Sequence, residues 1–468
     1  MILAAALACH GDGRRPDTGP SGGLDTGDTG PEPTEVPACT FSPCVVDLAV
    51  GQVEGPPGSW FGQELVASAD SDGVWLAVGA PVSTASYADA EVWLLAMTDL
   101  TTVRKWRSTE AFDDAGSALS FLPGAEGSSS VVVGAFGAGD AVQVASGAVF
   151  VVPPGEAGKP ALQASADLAL RGSNETFGRP RLGFDVSAAT VGLEGIEILV
   201  SAPSGPYYGT LTEGSAIYAF DPTLVGEGTD NAARRAIRSS AWGMSRVTAS
   251  DHSGDGMADV VVGVEGTTAA EIHFIEAPWA ADLVLADAVS FGALSEGSGG
   301  LAALDDLGDV TGDGYPDFAV GDTTWSGAVD RAGGLFVVEG GISGQVAVEQ
   351  TPLRWEGTFD GEAVGAAARG ADFNGDGATD LVASAYGIQP SEQPGKVAIF
   401  LGPLAEISFT SDLADAVVYG ELAGDNFGID LAAADGDGDG RADLAVGASG
   451  YANDAGAVYL ISGSALVP

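Results

Sequence analysis

A unit of about 60 residues recurs seven times along this chain. Each unit contains an apolar run that closes on Gly or Ser, at Gly79, Gly134, Ser201, Gly263, Gly321, Ser384 and Gly447. Successive closing residues are 55, 67, 62, 58, 63 and 63 residues apart. Self-similarity at a nearly fixed period indicates that one structural unit is repeated, because each copy then packs on its neighbours.

Two further signals occur in a constant order in every unit. Upstream of the closing residue lies an aromatic-Gly pair or its relic, at Phe61-Gly62, Ala115-Gly116, Phe177-Gly178, Trp242-Gly243, Gly299-Gly300, Val364-Gly365 and Phe427-Gly428. Downstream lies a short alternating segment, which reads EVWLL, GAVFVV, SAIYAF, EIHFI, GLFVV, KVAIF and AVYLI. Apolar runs and alternation of this length are typical of β-strands.

A unit that contains only strands and Gly-rich turns cannot bury its own faces. Four strands per unit, repeated radially, form a β-propeller, which leaves only short and protected edges. The sequence therefore predicts an all-β fold, a propeller of seven blades. Segment 45–55 precedes the first aromatic-Gly pair as segment 416–424 precedes the last. We expect it to pair into the last blade and close the ring.

Four units also contain an acidic phrase of nine residues. The phrases are DHSGDGMAD at 251–259, DVTGDGYPD at 309–317, DFNGDGATD at 372–380 and DGDGDGRAD at 435–443. Each places oxygen-bearing side chains at positions 1, 3, 5 and 9, and Gly at position 6. Ca²⁺ takes about six to eight oxygen ligands, and Gly permits the tight turn that aims them inward. The phrases predict about four structural Ca²⁺ ions.

The predicted ligands include position 7 of each loop as well. They are Asp251, Ser253, Asp255, Met257 and Asp259; Asp309, Thr311, Asp313, Tyr315 and Asp317; Asp372, Asn374, Asp376, Ala378 and Asp380; and Asp435, Asp437, Asp439, Arg441 and Asp443. The loops are not EF-hands, because position 12 is Val or Ala where that motif needs Glu. We expect the tightest binding in the loop at 435–443. Asp70-Ser71-Asp72-Gly73 retains part of a loop, and no metal is assigned there.

The order of aromatic-Gly pair, acidic loop and Gly-Ala-Pro resembles the FG-GAP repeat of the integrin alpha-chain propeller, over roughly nine-tenths of the chain. In that family the calcium loops are confined to the later blades, which the resemblance implies here for units four to seven. We expect a surface-anchored adhesion or ligand-binding module for a protein or glycan. Its alternatives are an exported carbohydrate-active or phospholipase-like enzyme, since such propellers also accompany enzymes, and a purely structural envelope protein.

The chain divides into three predicted parts. Residues 1–9, MILAAALAC, resemble the end of a bacterial lipoprotein signal peptide in which Cys9 becomes lipidated, with a general secretion signal as the alternative. Residues 10–42 are a Gly, Asp, Thr and Pro-rich linker, and residues 43–468 are the propeller. This predicts a cell-envelope location, as an outer-membrane lipoprotein or a secreted protein. Cys39 and Cys44 are close enough in sequence to pair in an oxidising space.

Composition excludes one class of partner and disfavours catalysis. The chain has 18 Lys plus Arg against 65 Asp plus Glu, a formal charge of −47, which excludes a nucleic-acid surface. Its three histidines are His10 in the linker, His252 at position 2 of a loop and His273 in a strand, and no catalytic motif occurs on a suitable element. We therefore predict a monomeric protein that is not an enzyme. The irregular inserts at 203–214 and 323–334 are the candidate binding loops.

Overall fold

The computed structural model describes residues 43–81, 90–109, 114–124, 127–139, 146–153, 161–172, 181–203, 214–239, 243–265, 270–287, 289–293, 301–341, 348, 351–387, 394–405, 408–409 and 411–467. Within these residues the strands form seven sheets, each with a core of four antiparallel strands. The predicted seven-bladed β-propeller is therefore confirmed. Predictions that concern residues 1–42 lie outside the described residues.

The first three blades come from the units without a complete acidic loop. Blade 1 contains β2 (Glu64–Asp70), β3 (Gly73–Ala80), β4 (Glu91–Ala96) and β5 (Thr102–Arg107). Blade 2 contains β6 (Ala118–Pro123), β7 (Ser129–Ala135), β8 (Ala148–Val152) and β9 (Leu168–Arg171). Blade 3 contains β10 (Val186–Gly192), β11 (Gly195–Ala202), β12 (Ser215–Phe220) and β14 (Arg235–Ser239).

The last four blades come from the units that carry the acidic phrase. Blade 4 contains β15 (Met244–Ser250), β16 (Asp259–Val264), β17 (Glu271–Ile275) and β19 (Val289–Ala293). Blade 5 contains β20 (Ala303–Gly308), β21 (Asp317–Asp322), β22 (Gly334–Val338) and β23 (Arg354–Glu356). Blade 6 contains β24 (Val364–Ala371), β25 (Asp380–Ala385), β26 (Lys396–Phe400) and β28 (Ala416–Tyr419).

Blade 7 closes the ring as predicted. It contains β29 (Phe427–Ala434), β30 (Asp443–Ala448) and β31 (Ala457–Ile461), and its fourth strand is the N-terminal β1 (Ala49–Glu54). Strand β1 runs antiparallel to β31, with Gln52 opposite Tyr459 and Glu54 opposite Ala457. The short helix Val45–Leu48 precedes β1, and Cys44 beside it is buried and disulfide-bonded. Its predicted partner Cys39 lies outside the described residues.

Three short strands extend blades beyond four strands, which the repeat pattern did not predict. Strand β13 (Gly226–Thr229) pairs parallel with β9, β18 (Leu283–Val284) with β14, and β27 (Ser408–Phe409) with β23. Each comes from the following unit and lies on the outer edge of the preceding blade. Further helical turns are Leu162–Ser165, Asp230–Ala232, Leu285–Asp287, Ser411–Leu413, Tyr451–Asp454 and Gly463–Leu466. No helix among the described residues is both long and apolar enough to span a membrane.

The apolar core lies between blades. The buried side chains form seven clusters, and each cluster combines residues of two adjacent blades. One of them joins Phe61 and Leu65 of blade 1 to Ala445, Val458 and Leu460 of blade 7. The innermost strands contact one another around the whole ring, including β2 with β29. The fold therefore buries apolar surface by stacking blades, because a single sheet has no partner for its faces.

The aromatic-Gly pairs contact the preceding blade, and two of them differ from the prediction. Phe61 bridges Gly456 and Val364 bridges Gly333, each just before the third strand of the preceding blade. In unit three the equivalent bridge joins Leu182 to Gly147, so Leu182-Gly183 holds the position predicted for Phe177-Gly178. In unit five Leu301-Ala302 occupies this position instead of Gly299-Gly300. The Ala302 N–H donates to the Gly321 carbonyl oxygen, just as the Gly62 N–H donates to the Gly79 carbonyl oxygen. The originally predicted pairs lie outside the described residues.

Candidate functional site

The four acidic loops lie on one face of the propeller. Each joins the innermost strand of its blade to the second strand, as in β15 to β16 of blade 4 and β29 to β30 of blade 7. Because all innermost strands run in the same sense, their far ends reach the same side, which we call the loop face. The opposite side, where these strands begin and where Gly62, Gly116 and Gly428 lie, is called the glycine face.

All four loops have the same hydrogen-bonded frame. The carboxylate at position 1 accepts the N–H groups of positions 5 and 6, at distances between 2.8 and 3.2 Å, in Asp251, Asp309, Asp372 and Asp435. The carboxylate at position 5 accepts the N–H of position 7, from Met257, Tyr315, Ala378 and Arg441. These bonds hold the side chains of positions 1 and 5 on the inside of the turn.

Glycine at position 4 is a functional residue of the loops that the sequence analysis missed. Gly254, Gly312, Gly375 and Gly438 all have φ between 76° and 80°, and the glycines at position 6 have φ between 88° and 96°. Both positions lie in the left-handed region that favours glycine. Every acidic phrase contains Gly-Asp-Gly, so both glycines could have been predicted from the sequence, but the prediction named only the glycine at position 6.

The blade 7 loop brings three predicted ligands together. One carboxylate oxygen from each of Asp435, Asp437 and Asp439 lies within 4.8 Å of the others, and among the described residues no other group of three acidic or His/Cys side chains does so. The side chains of Asp437 and Asp439 are exposed, so an ion can reach them. Oxygen donors in this arrangement suit a hard cation such as Ca²⁺.

Position 3 differs among the other loops. In blade 6 Asn374 donates its side-chain N–H to Asp376 over 2.8 Å, so the amide faces position 5. In blade 4 the Ser253 hydroxyl is buried and has no hydrogen-bond partner. In blade 5 the Thr311 hydroxyl is 3.5 Å from Asp317. A buried hydroxyl oxygen without a partner at a ligand position fits a loop that accommodates a cation.

The aspartate at position 9 has a second role that the sequence did not predict. Asp259, Asp317, Asp380 and Asp443 are almost fully buried at the start of the second strand. One oxygen of each accepts a loop N–H, and the other accepts an N–H from the turn after the third strand, at Ala277, Gly340, Gly402 and Gly463. Position 9 therefore ties each loop to the outer part of its blade. Its assignment as a metal ligand stays a prediction.

Burial makes these aspartates sensitive to a nearby cation. Burial, with the neighbouring Asp313 adding to it, raises the pKa of Asp317 to about 6. The pKa values of Asp380 and Asp443 are raised for the same two reasons, with burial first and then the loop carboxylates. A cation bound in the loop would favour the ionised form of all these groups.

Neighbouring loops also contact one another. The Tyr315 ring packs over Gly254 of the preceding loop, and the Arg441 side chain packs over Gly375. His252, the non-ligating position 2, places its Nδ1 2.7 Å from the Pro316 carbonyl oxygen. In blade 1, Asp70 accepts the Trp75 indole N–H and the Ser129 N–H, both at 2.9 Å, and so stabilises a plain turn.

Comparison with known proteins finds a family match for the last repeat of the chain. The FG-GAP repeat family matches residues 427–461, which span β29, the blade 7 loop, β30 and β31. The last blade is an FG-GAP repeat. Together with the seven-bladed ring, this match fits the predicted FG-GAP propeller, similar to that of the integrin alpha chain. No curated protein matches the chain.

Two solved structures are similar to this chain. The structure titled "Kuenenia stuttgartiensis Hydrazine Synthase" has 14% sequence identity and a TM-score of 0.51, and the match covers 88% of this chain and 97% of that one. The structure titled "Structure of Dos1 propeller" has 10% identity and a TM-score of 0.44, and the match covers 90% and 96% of the two chains. At 14% identity, the first similarity shows the fold alone.

Proposed function

We propose that this protein is a calcium-stabilised FG-GAP propeller that serves as a ligand-binding module. The observation that carries the proposal is the convergence of Asp435, Asp437 and Asp439 in a loop whose frame is repeated in blades 4, 5 and 6. The buried, unpartnered Ser253 hydroxyl in the blade 4 loop supports it. Residues at positions 1, 3, 5, 7 and 9 would hold each ion.

The charge of the chain gives calcium a stabilising role. Carboxylates held close together in the blade 7 loop repel one another, in a chain whose formal charge is −47. An ion that binds only the folded state adds about 1.4 kcal/mol at ten times its dissociation constant, so four sites add roughly 5 to 6 kcal/mol. Calcium would thus hold the loop face of blades 4–7 together.

The ligand is proposed to be an extracellular protein or glycan. Propeller blades supply stability while their loops carry function. The insert 323–334 lies on the glycine face between β21 and β22, whereas most of 203–214 lies outside the described residues. Attachment to the cell envelope through a lipid on Cys9, with residues 10–42 as a spacer, completes this proposal and follows from the sequence alone.

Calcium-dependent binding to arrays of glycans and extracellular proteins tests the function. The full chain with Cys9→Ser, which stays unlipidated, is applied in excess Ca²⁺ and again in chelator, and is also assayed on a panel of glycosidase and lipase substrates. Specific binding without turnover supports the proposal. Turnover would replace it with the enzyme alternative, and blank results in both assays would favour a structural envelope protein.

A further inference from the structure

The innermost strands enclose a cavity at the glycine face of the ring. Its volume is about 420 Å³, which is within the size range of small-molecule sites. Its lining residues come from all seven blades, among them Glu64 of β2, Leu119 of β6 and Asp185 just before β10. Thr323 and Thr324, at the start of the insert 323–334, also line it. Most of its lining residues lie in or just before the first half of the innermost strands, towards the end opposite the acidic loops.

The lining is polar and strongly acidic. Six carboxylates line the cavity together with two guanidinium groups; the acids are Glu64, Asp185, Glu265, Asp305, Asp306 and Asp430, and the bases are Arg246 and Arg369. Such an excess of carboxylates in a concave site attracts positively charged solutes.

The two arginines that line the cavity do not balance all six of its carboxylates. One terminal guanidinium nitrogen of Arg369 donates to Asp305 over 2.7 Å, and the other donates to Asp430 over 2.9 Å. The second oxygens of these two aspartates accept backbone N–H groups of the next blade, from Ala368 at 2.9 Å and Leu65 at 2.6 Å. This trio is therefore a closed structural network. Of the two arginines in the lining, this leaves Arg246 to balance the other four carboxylates.

Glu265 is the group that points to a ligand. It is 8% exposed, and its Oε1 accepts the Ser245 hydroxyl over 2.9 Å. Its Oε2 is buried and has no hydrogen-bond partner, and the buried Nε of the nearby Arg246 has none either. A buried carboxylate oxygen without a donor is costly, so the site is incomplete without a group that donates to it.

The spacing of the carboxylates favours an organic cation over a metal ion. Among the described residues, the one group of three acidic side chains with ligand oxygens within 4.8 Å is in the blade 7 loop, not in this cavity. Separate carboxylates suit an ammonium group, which donates up to three hydrogen bonds in different directions. The cavity also has room for several carbon atoms.

We propose that this cavity binds a small organic amine, with Glu265 and Glu64 as the acceptors of its ammonium groups. Burial and the neighbouring Asp430 raise the pKa of Glu64 well above its usual range, although Arg246 and Arg369 act in the opposite direction. A second positive charge on the ligand would favour the ionised form of Glu64. The inference does not depend on calcium, because none of the predicted metal ligands lines the cavity.

Titration calorimetry with 1,4-diaminobutane tests this site. The full Cys9→Ser chain is titrated in excess Ca²⁺ at constant ionic strength, and 1,4-butanediol serves as the uncharged control for the probe. Glu265→Gln removes the acceptor charge while retaining its shape, and Glu227→Gln makes the same change on the exposed strand β13. Glu64→Gln is the second cavity variant, for use if Glu265→Gln does not fold.

The proposal expects saturable binding of the diamine and none of the diol. Glu265→Gln or Glu64→Gln should weaken binding about tenfold or more, as expected for loss of a charge-assisted hydrogen bond, while Glu227→Gln leaves it unchanged. Absence of saturable binding at millimolar diamine would overturn the proposal. Equal weakening by cavity and surface variants would do so as well, because it would show nonspecific attraction to an acidic protein.

Discussion

Gly62 of the first blade packs against Gly447 of the last blade, with the Gly62 carbonyl oxygen at the place that a Cβ on residue 447 would occupy. The same relationship joins Gly183 to Gly134 and Gly365 to Gly321. In these units the aromatic-Gly pair, or the pair that replaces it, packs on the closing residue of the preceding blade. The aromatic-Gly pair of one repeat and the closing residue of the preceding repeat thus form a single contact between blades.

Gly447→Ala should destabilise the ring at its closure. The added methyl group meets the backbone of residue 62, which cannot rotate away, so we expect a loss of about 1–3 kcal/mol. Gly51→Ala in β1 is the matched control, since a Cβ there meets nothing closer than 3.6 Å. Thermal unfolding of both variants checks this, and an unchanged melting temperature for Gly447→Ala would contradict the closure contact.

Asp437→Ala should remove one metal site and spare the others. The substitution deletes position 3 of the loop in which three carboxylates converge. We expect the variant to bind one Ca²⁺ fewer than the unmodified chain, as counted by native mass spectrometry. Asp72→Ala, in the shortened turn of blade 1, provides the control and should leave the count unchanged. Loss of every ion with the protein still folded would show that the sites are not independent.

Arg369→Met should destabilise the centre of the propeller. It leaves the part-buried Asp305 and Asp430 without their shared cation, and breaking a buried ion pair costs up to about 3–5 kcal/mol. Arg354→Met breaks a single pair with Glu356, in which the two side chains are 30% and 31% exposed, and should cost about 1 kcal/mol or less. Urea unfolding compares the two. Equal losses would show that the Arg369 network contributes no more than a surface pair.

Asp425 should make stability depend on pH. Burial, with Glu421 adding to it, raises the pKa of Asp425 from 3.8 to about 6. Its proton therefore stabilises the folded chain fully below about pH 3.8, and this contribution is lost as the pH rises through about 6.

Asp425→Asn removes that titration. In chelator at pH 7.5 the variant should be more stable than the unmodified chain by about 1–3 kcal/mol, and the difference should shrink towards pH 4. Unfolding in urea at pH 4, 5, 6 and 7.5 measures it, with the exposed Asp47→Asn as control. A difference that stays constant across this range would show that Asp425 titrates normally.

The blades and the loop frame were predictable because their signals are local and repeated. Four strands per unit, the acidic phrases and the closing role of 45–55 all follow from patterns within about a dozen residues. The aromatic-Gly pair of unit three was misplaced because two nearby pairs end in glycine. Only packing against Gly134 and Gly147 selects Leu182-Gly183.

The charged cavity was not predictable, for a different physical reason. Asp305, Arg369 and Asp430 come from three blades, and they meet only because the ring brings the innermost strands together. Local spacing does not show that these residues meet, and Glu265 lies beyond the end of its strand.

The number of calcium ions bound per chain decides whether the acidic loops are metal sites. Equilibrium dialysis of the full Cys9→Ser chain against labelled Ca²⁺ should reach about four ions per chain, one for each loop of blades 4–7. Removal of those ions by chelator should lower the melting temperature. A chain that binds no Ca²⁺ and melts at the same temperature in Ca²⁺ and in chelator would contradict the account.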